Sequence, residues 1–221
     1  TLDQRSVSEA VAALRNRITL AGGTDVALVA VTKTFGSDAW RFAKAAGCQA
    51  VGENYAQEVV QKAGEVALSD RLPVHFIGQL QSNKIKQLAD IVDVWQSIDR
   101  LSLLTEIAKR VTQAGVEVML QVNVTAEDGK GGCTPAEVGE LTRAARDLGL
   151  TVSGLMAVGP TNEDPIETRS AFRTLRALVN DHGLQQCSMG MTGDLEIAVE
   201  EGSTMVRVGS ALFGNRPSPH R

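Results

Sequence analysis

Short apolar stretches alternate with amphipathic helical patterns along this chain, and the alternation constrains its fold more than any other feature. Eight stretches suit buried β-strands and start near residues 26, 49, 74, 91, 117, 151, 184 and 205. A helical pattern lies between each successive pair, without a Pro-rich linker. Such strands pair in parallel through right-handed crossovers. Eight units predict a single-domain α/β fold over residues 1–221, a (β/α)8 barrel of the TIM type, although a doubly wound open sheet shares much of the pattern.

Capping residues mark where several helices begin. Residues 6–20 form an amphipathic pattern ahead of the first strand, and Ser6 with Glu9 matches a capping box, so we expect an additional N-terminal helix. Thr134, Pro135 and Glu137 make the clearest helix start in the chain, because they combine an N-cap, a proline at the first position and a glutamate at the third.

Composition narrows the classes of partner. Across 221 residues, 22 Lys and Arg stand against 26 Asp and Glu, without a long run of either sign. This balance disfavours nucleic acid and anionic membrane surfaces. No apolar run approaches the ~20 residues that span a bilayer. The three cysteines, Cys48, Cys133 and Cys187, lack metal-ligand spacing and are expected to be free structural thiols. We therefore expect a cytoplasmic protein without a metal site.

The first strand ends on a lysine. Residues 26–33 read VALVAVTK, and alternation along a strand places Lys33 on the same face as Val29 and Val31. An ammonium on apolar packing is disfavoured, so the neutral, nucleophilic amine becomes accessible, as in Schiff-base lysines. A solvated lysine just beyond a strand is the ordinary alternative.

The loops after the last two strands have the composition of a phosphate site. In a (β/α)8 barrel, the active face lies at the carboxyl ends of the strands, and the loops after strands seven and eight often bind phosphate. Here Thr192 with Gly193, and Gly209 with Ser210, open two short helices, where glycine admits an anion and the hydroxyls can donate to it. Ser188 is a further candidate donor. Ordinary helix capping is the alternative.

A reactive lysine facing a phosphate site fits two kinds of chemistry. One is a sugar-phosphate aldolase that forms a Schiff base with its substrate, and the other is a protein that holds pyridoxal 5'-phosphate (PLP) as an internal aldimine. Arg207 on the final strand is a candidate ligand contact, although a surface arginine there is ordinary. Spacing alone leaves both open.

An ordered set of motifs carries a resemblance that runs nearly end to end. The chain resembles the YggS/PROSC-like pyridoxal phosphate homeostasis proteins, which are related to the N-terminal barrel of alanine racemase. Each motif is weak alone, but together and in this order they are specific. The matching segments are VAVTK (29–33), VGENY (51–55), HFIGQLQSNK (75–84), QVN (121–123), KGG (130–132), GLM (154–156), SMGMTGD (188–194) and VRVGSALFG (206–214).

The resemblance implies a role for each matching residue. It implies that Lys33 forms an aldimine with PLP, that Arg207 faces the pyridine nitrogen and that Asn54 lies near the ring. The phosphate is then held around Met191 and Thr192, and around Gly209 and Ser210. The family more often has serine where Thr192 stands and threonine where Ser210 stands, and both exchanges keep the hydroxyl donor.

The resemblance also implies PLP homeostasis and delivery without established turnover. A protonated Arg207 leaves the pyridine nitrogen unprotonated, which makes PLP a poor electron sink. The racemase takes a tyrosine from a second domain and its dimer partner, whereas Tyr55 is the only tyrosine here and is expected to pack in the core or at the rim. The three histidines are expected to be structural or exposed. We expect a monomer that serves PLP-requiring apo-enzymes; a low-efficiency amino-acid racemase and a Schiff-base aldolase remain alternatives.

Overall fold

Eight parallel strands close into a barrel in a computed structural model that describes residues 2–214. Each strand pairs with its neighbours in sequence order, and β1 pairs with β8 to complete the circle. The predicted (β/α)8 barrel is confirmed. The strands are β1 (Ala27–Val31), β2 (Ala50–Glu53), β3 (Val74–Phe76), β4 (Val94–Ile98), β5 (Glu117–Gln121), β6 (Thr151–Met156), β7 (Gln186–Ser188) and β8 (Met205–Val208).

Helices connect the strands and surround the barrel. An additional helix precedes β1, as predicted, and short 3₁₀ turns at Leu68–Asp70 and Pro135–Glu137 supplement the connections. The helices are α1 (Gln4–Leu20), α2 (Asp38–Ala45), α3 (Ala56–Glu65), α4 (Ser82–Leu88), α5 (Leu101–Arg110), α6 (Val138–Asp147), α7 (Pro165–Asp181), α8 (Leu195–Glu200) and α9 (Ser210–Phe213).

The two faces of the barrel have different surroundings. One face of each strand packs against the helices in a large apolar cluster that includes Leu28, Val51 and Trp95. A small separate cluster contains Val29, Ala50 and Met205. Val29 is in register with Ala50 on β2 and with Arg207 on β8, and such cross-strand partners share a face. The smaller cluster therefore lies inside the barrel, below Lys33 and Arg207.

Two predicted helix starts have different outcomes. The capping box at Thr134 and Glu137 is present, with both reciprocal contacts formed, and Pro135 follows the cap. The box predicted at Ser6 and Glu9 is wrong, because α1 begins two residues earlier. Asp3 is its N-cap and accepts a hydrogen bond from the Ser6 amide at 2.9 Å. A carboxylate at this position also complements the positive end of the helix.

Strand bounds shift by a few residues where hydrogen bonding ends before the apolar run does. β4 begins at Val94 although apolar residues begin at Ile91, and β7 is confined to Gln186–Ser188 within the run from 184 to 189. The single-domain prediction for residues 1–221 stays a prediction, because residues 1 and 215–221, including His220, lie outside the described residues.

The cysteines are free and buried, as predicted. Burial raises the pKa of Cys48 to about 11 and the pKa of Cys133 and Cys187 to about 12, so all three are neutral thiols at pH 7. Within residues 2–214, no helix combines the length and apolar character needed to cross a bilayer.

Candidate functional site

The carboxyl ends of the strands surround a cleft of about 560 Å³ that brings together most of the predicted site residues. It is built by β1, β8 and the loops that follow β7 and β8. Its volume is within the range of roughly 300–1,000 Å³ that is typical of small-molecule sites. Of the eight predicted site residues, six line it: Lys33, Met191, Thr192, Arg207, Gly209 and Ser210.

Lys33 follows the last residues of β1 and is half-buried. Val31 lines the same cleft, so the lysine faces the interior that the apolar side chains of β1 also face. Phe35, four residues after Val31, forms another wall and packs its ring against Phe213 at a centroid distance of 5.3 Å. Lys33 is therefore held beside an apolar and aromatic surface.

Thr32 points away from the cleft, toward a buried ion pair between the barrel and helices α2 and α3. Glu53 Oε1 accepts hydrogen bonds from Lys62 Nζ at 2.6 Å, from Trp40 Nε1 at 3.0 Å and from the Thr32 hydroxyl. Glu53 is fully buried and Lys62 is 3% exposed. Burial raises the pKa of Glu53, while the charge of Lys62 and these three donors oppose the rise. The Thr32 side chain, next to Lys33, is thus hydrogen-bonded to the buried ion pair of Glu53 and Lys62.

Arg207 is a buried cation that lines the cleft and is 4% exposed. Its Nη1 donates to the Ser188 hydroxyl at 2.7 Å and its Nη2 donates to the carbonyl of Ala157 at 2.8 Å. Burial lowers the pKa of Arg207 to about 10, and the charge of Asp194 opposes the shift. The guanidinium therefore stays protonated at pH 7, and its two hydrogen bonds fix its orientation.

Ser188 lies behind Arg207 and is outside the lining of the cleft. Its fully buried hydroxyl donates to Gln96 Oε1 at 2.7 Å, and Gln96 Nε2 lies 2.7 Å from Nδ1 of His75. The position favours a role for Ser188 in orienting Arg207 over direct contact with a phosphate, because both hydrogen-bonding directions of its hydroxyl are used inside the barrel. His75 is structural, as expected.

Asp194 fixes the loop after β7. Its Oδ1 accepts a hydrogen bond from the Met191 amide at 2.6 Å, which closes a turn around Thr192 and Gly193. Burial raises the pKa of Asp194, whereas the Met191 amide and the charge of Arg207 lower it. The Asp194 carboxyl thus fixes the conformation of the loop without lining the cleft.

The two glycine-containing loops meet at their hydroxyls. Thr192 Oγ1 lies 3.3 Å from Ser210 Oγ. A methyl group added at Gly193 would have no neighbour within 4 Å, whereas one at Gly209 would lie 3.2 Å from the carbonyl oxygen of Val31. The Thr192 loop is thus open toward the cleft, and the Gly209 backbone packs closely on the end of β1. Both loops present small groups and donors to the same space.

Asn54 lines a second cleft of about 370 Å³ at the same end of the barrel. Its Oδ1 is buried without a hydrogen-bond partner among the described residues. A methyl group at Gly78 would lie 2.2 Å from the Asn54 carbonyl oxygen, so only glycine permits the close approach of β3's loop to that of β2. Tyr55 lines the same second cleft, is 52% exposed and belongs to the rim.

Several residues that shape the site carried no separate signal in the sequence. Gln96 is fully buried in β4 and links His75 to Ser188, but a glutamine within an apolar strand gives no indication of its partner. Lys62 resembles an ordinary helix lysine until its contact with Glu53 is seen. The described residues contain no group of three His, Cys, Asp or Glu side chains that could hold a metal ion.

The family follows from comparison with known proteins. Residues 3–217 match the family described as alanine racemase, N-terminal domain. The chain belongs to this family. Among its relatives, a pyridoxal phosphate homeostasis protein of Pseudomonas aeruginosa is 40% identical over 225 residues, which cover 96% of each chain. A protein of the same name from Schizosaccharomyces pombe is 36% identical, over 90% of this chain and 87% of the relative.

Solved structures extend the comparison. PipY of Synechococcus elongatus with PLP bound has a TM-score of 0.80 and 31% identity, and the alignment covers 94% of this chain and all of PipY. An unknown protein from Bifidobacterium adolescentis has a TM-score of 0.83 and 35% identity, over 96% of this chain and 98% of the other. The alanine racemase of Streptomyces lavendulae, at 21% identity and a TM-score of 0.77, shares the fold over 59% of its length.

Proposed function

We propose that this protein binds PLP as an internal aldimine on Lys33 and serves intracellular PLP homeostasis and delivery without catalytic turnover. The observation that carries the proposal is the convergence of Lys33, the buried Arg207 and the Thr192 and Ser210 hydroxyls in one cleft. The names of the relatives and the PLP bound in PipY support the same ligand.

The donors of the cleft match the functional groups of PLP. Hydroxyls and backbone amides around Thr192, Gly193, Gly209 and Ser210 suit a phosphate, because they offer donors without bulky side chains. The guanidinium of Arg207 suits the pyridine nitrogen. Asn54 is proposed to lie near the ring from the neighbouring loop. Met191, which is 43% exposed, is proposed to border the phosphate.

The absence of turnover is proposed from the chemistry of the lining residues. When bound, PLP supplies a ring that accepts electrons. The ring accepts them less readily when its nitrogen accepts a hydrogen bond instead of carrying a proton. Arg207 keeps its proton at pH 7 and can only donate. Among the described residues that line the cleft, none is an Asp, Glu, His, Cys or Tyr that could exchange a proton opposite Lys33. The partners proposed for a monomer of this kind are PLP-requiring apo-enzymes.

Borohydride trapping tests the lysine. Purified protein incubated with PLP is expected to gain the visible absorption band of an imine, and reduction followed by peptide mass spectrometry is expected to place the adduct on Lys33. The Lys33→Ala variant should lose the band. Lys44→Ala is the control, because Lys44 lies on α2 and donates to the carbonyl of Ser69, away from the cleft. A band that persists in Lys33→Ala would end the assignment.

Isotope exchange tests the absence of turnover. Amino acids deuterated at the α-carbon are incubated with the PLP-loaded protein, and the loss of deuterium and the enantiomeric ratio are followed by mass spectrometry and chiral chromatography. We expect no exchange beyond that of free PLP at equal concentration. Exchange that requires Lys33 and exceeds this background by about 100-fold or more would establish an enzyme instead.

A further inference from the structure

We propose that Glu58 and Lys62 on α3 act together as a clamp that sets the direction in which Lys33 points, which makes them positioning residues for PLP capture. The inference rests on the proposed function for its biological meaning. Its structural basis lies in four residues, 32 to 35, that turn the chain at the end of β1.

Lys33 occupies a tight turn of unusual backbone geometry. The Phe35 amide donates to the Thr32 carbonyl at 3.1 Å, so Lys33 and Thr34 are the two central residues. Thr34 has φ of 70°, the left-handed region that type II turns normally reserve for glycine at this position. A β-branched residue there is strained and persists only where surrounding contacts hold it. The position of Lys33 therefore depends on what holds this turn.

Helix α3 supplies a contact on each side of Lys33. Lys62 Nζ donates to the Thr32 carbonyl at 2.7 Å, and Glu58 Oε2 accepts from the Thr34 amide at 2.8 Å. Glu58 and Lys62 are one helical turn apart and pair with each other at 3.1 Å. The two peptide groups that flank the lysine are thus joined through one ion pair.

The clamp is anchored in the protein core. Lys62 is 3% exposed and is also bonded to the fully buried Glu53, which holds the ammonium in place. Hydrogen bonds in which one partner is charged are stronger and shorter than neutral ones. The turn therefore has a charged acceptor and a charged donor in fixed places, and the Lys33 side chain is directed into the cleft before any ligand arrives.

The clamp is tested with Glu58→Ala and a closely matched control. Glu58 is 25% exposed and pairs with a cation four residues later, and Glu106 on α5 is 24% exposed and pairs with Arg110 at the same spacing. In Glu58→Ala we expect PLP adduct formation on Lys33, followed by absorbance, to slow by about tenfold, as expected for the loss of a charged hydrogen bond. Glu106→Ala should stay within about twofold of the parent protein.

Hydrogen exchange provides a readout without PLP. The Thr34 amide is expected to exchange about tenfold faster in Glu58→Ala than in Glu106→Ala, measured by NMR or on peptides covering residues 32–35. The Glu58→Gln variant keeps a side-chain oxygen that can accept from this amide, so it should recover most of the protection and of the reaction rate. The double variant Glu53→Gln/Lys62→Met removes the ammonium without leaving a buried carboxylate and should slow the reaction as Glu58→Ala does.

The outcomes separate the clamp from the function on which it depends. If the parent protein forms the Lys33 adduct and Glu58→Ala forms it at the same rate with unchanged Thr34 exchange, the clamp is wrong. If the parent protein forms no adduct, the proposed function fails, while Thr34 exchange still decides whether Glu58 holds the turn. Equal slowing in Glu58→Ala and Glu106→Ala would indicate a general loss of stability and would also refute the clamp.

Discussion

At the scale of single residues, the cleft depends on polar side chains that are held in place by hydrogen bonds to buried residues. Arg207 donates to Ser188, Ser188 donates to Gln96, and Gln96 contacts His75. Each member is buried, so an unmade hydrogen bond in this chain costs more than it would at the surface. Besides its bond to the Ala157 carbonyl, the direction of Arg207 therefore depends on Ser188, Gln96 and His75, which do not line the cleft.

Removal of the Ser188 hydroxyl should loosen Arg207. In Ser188→Ala, the Arg207 Nη1 and the Gln96 Oε1 lose a shared partner, and we expect a loss of about 1–3 kcal/mol in the free energy of unfolding. We also expect the Kd for PLP to rise by about tenfold and the absorption maximum of the bound cofactor to shift. Absorbance titration and urea unfolding measure these quantities.

Ser153→Ala is the matched control for this experiment. Ser153 is also a barrel-strand serine, on β6, and its hydroxyl is buried without a hydrogen-bond partner among the described residues. Its removal should leave the Kd for PLP unchanged. An equal rise in the Kd of both variants would show that Ser188 has no specific link to Arg207.

At the scale of elements, the additional helix α1 supports the loop after β7. Arg17 Nη2 donates to the Thr192 carbonyl at 2.9 Å, and its guanidinium pairs with both oxygens of Glu196 on α8, at 2.6 and 2.9 Å. The pair raises the pKa of Arg17 and lowers that of Glu196. A bidentate arginine has a well-defined geometry, so it can hold a loop in place. This contact links α1 to the loop of the proposed phosphate site.

Arg17→Ala should weaken the proposed phosphate site. We expect the Kd for PLP to rise by about threefold to tenfold, because the Thr192 carbonyl loses the charged donor that holds it. Arg5→Ala is the control, since Arg5 lies on the same helix in an exposed pair with Glu9. If isothermal titration gives the same Kd for both variants, α1 does not support the loop.

At the scale of the whole molecule, barrel closure determines which polar groups are forced inside. His75 is 5% exposed on β3, and burial lowers its pKa to about 4 from an ordinary value of 6.5. The unfolded chain then binds a proton at a higher pH than the folded one. The contribution of His75 to stability is complete above pH 6.5 and is lost as the pH falls toward 4.

This titration predicts a measurable acid sensitivity. Between pH 7 and pH 4.5, protonation of His75 in the unfolded state should remove about 2 kcal/mol from the free energy of unfolding. The His75→Gln variant lacks the titrating group, so its loss over this interval should be smaller by that amount. Urea unfolding at both pH values gives the difference. The raised pKa of Glu53 acts with the opposite sign in both proteins and cancels. Identical acid losses would contradict the assignment.

The sequence alone predicts the order of elements, the eight strands and the lysine at the end of the first. These features depend on local periodicity and on helix caps such as Thr134. Both are set by residues within a single segment of the chain. It also placed Thr192, Gly209 and Ser210 at one face, because parallel strands end together. The site residues followed from strand ends and from the resemblance, and not from any knowledge of their contacts.

The contacts that hold those residues in place are visible only in the folded protein. Arg17 and Thr192 are 175 positions apart, and Ser188 and Gln96 are 92 apart, so no local pattern relates them. Closure of the barrel brings them together, and it turns Ser188 inward behind Arg207. The turn at Thr34 and its contact with Glu58 are likewise invisible in the residue types, because a threonine at positive φ contradicts its own preference. The contacts of Glu58 and Lys62 on α3 with the turn after β1 oppose that preference, and in our proposal they thereby orient Lys33.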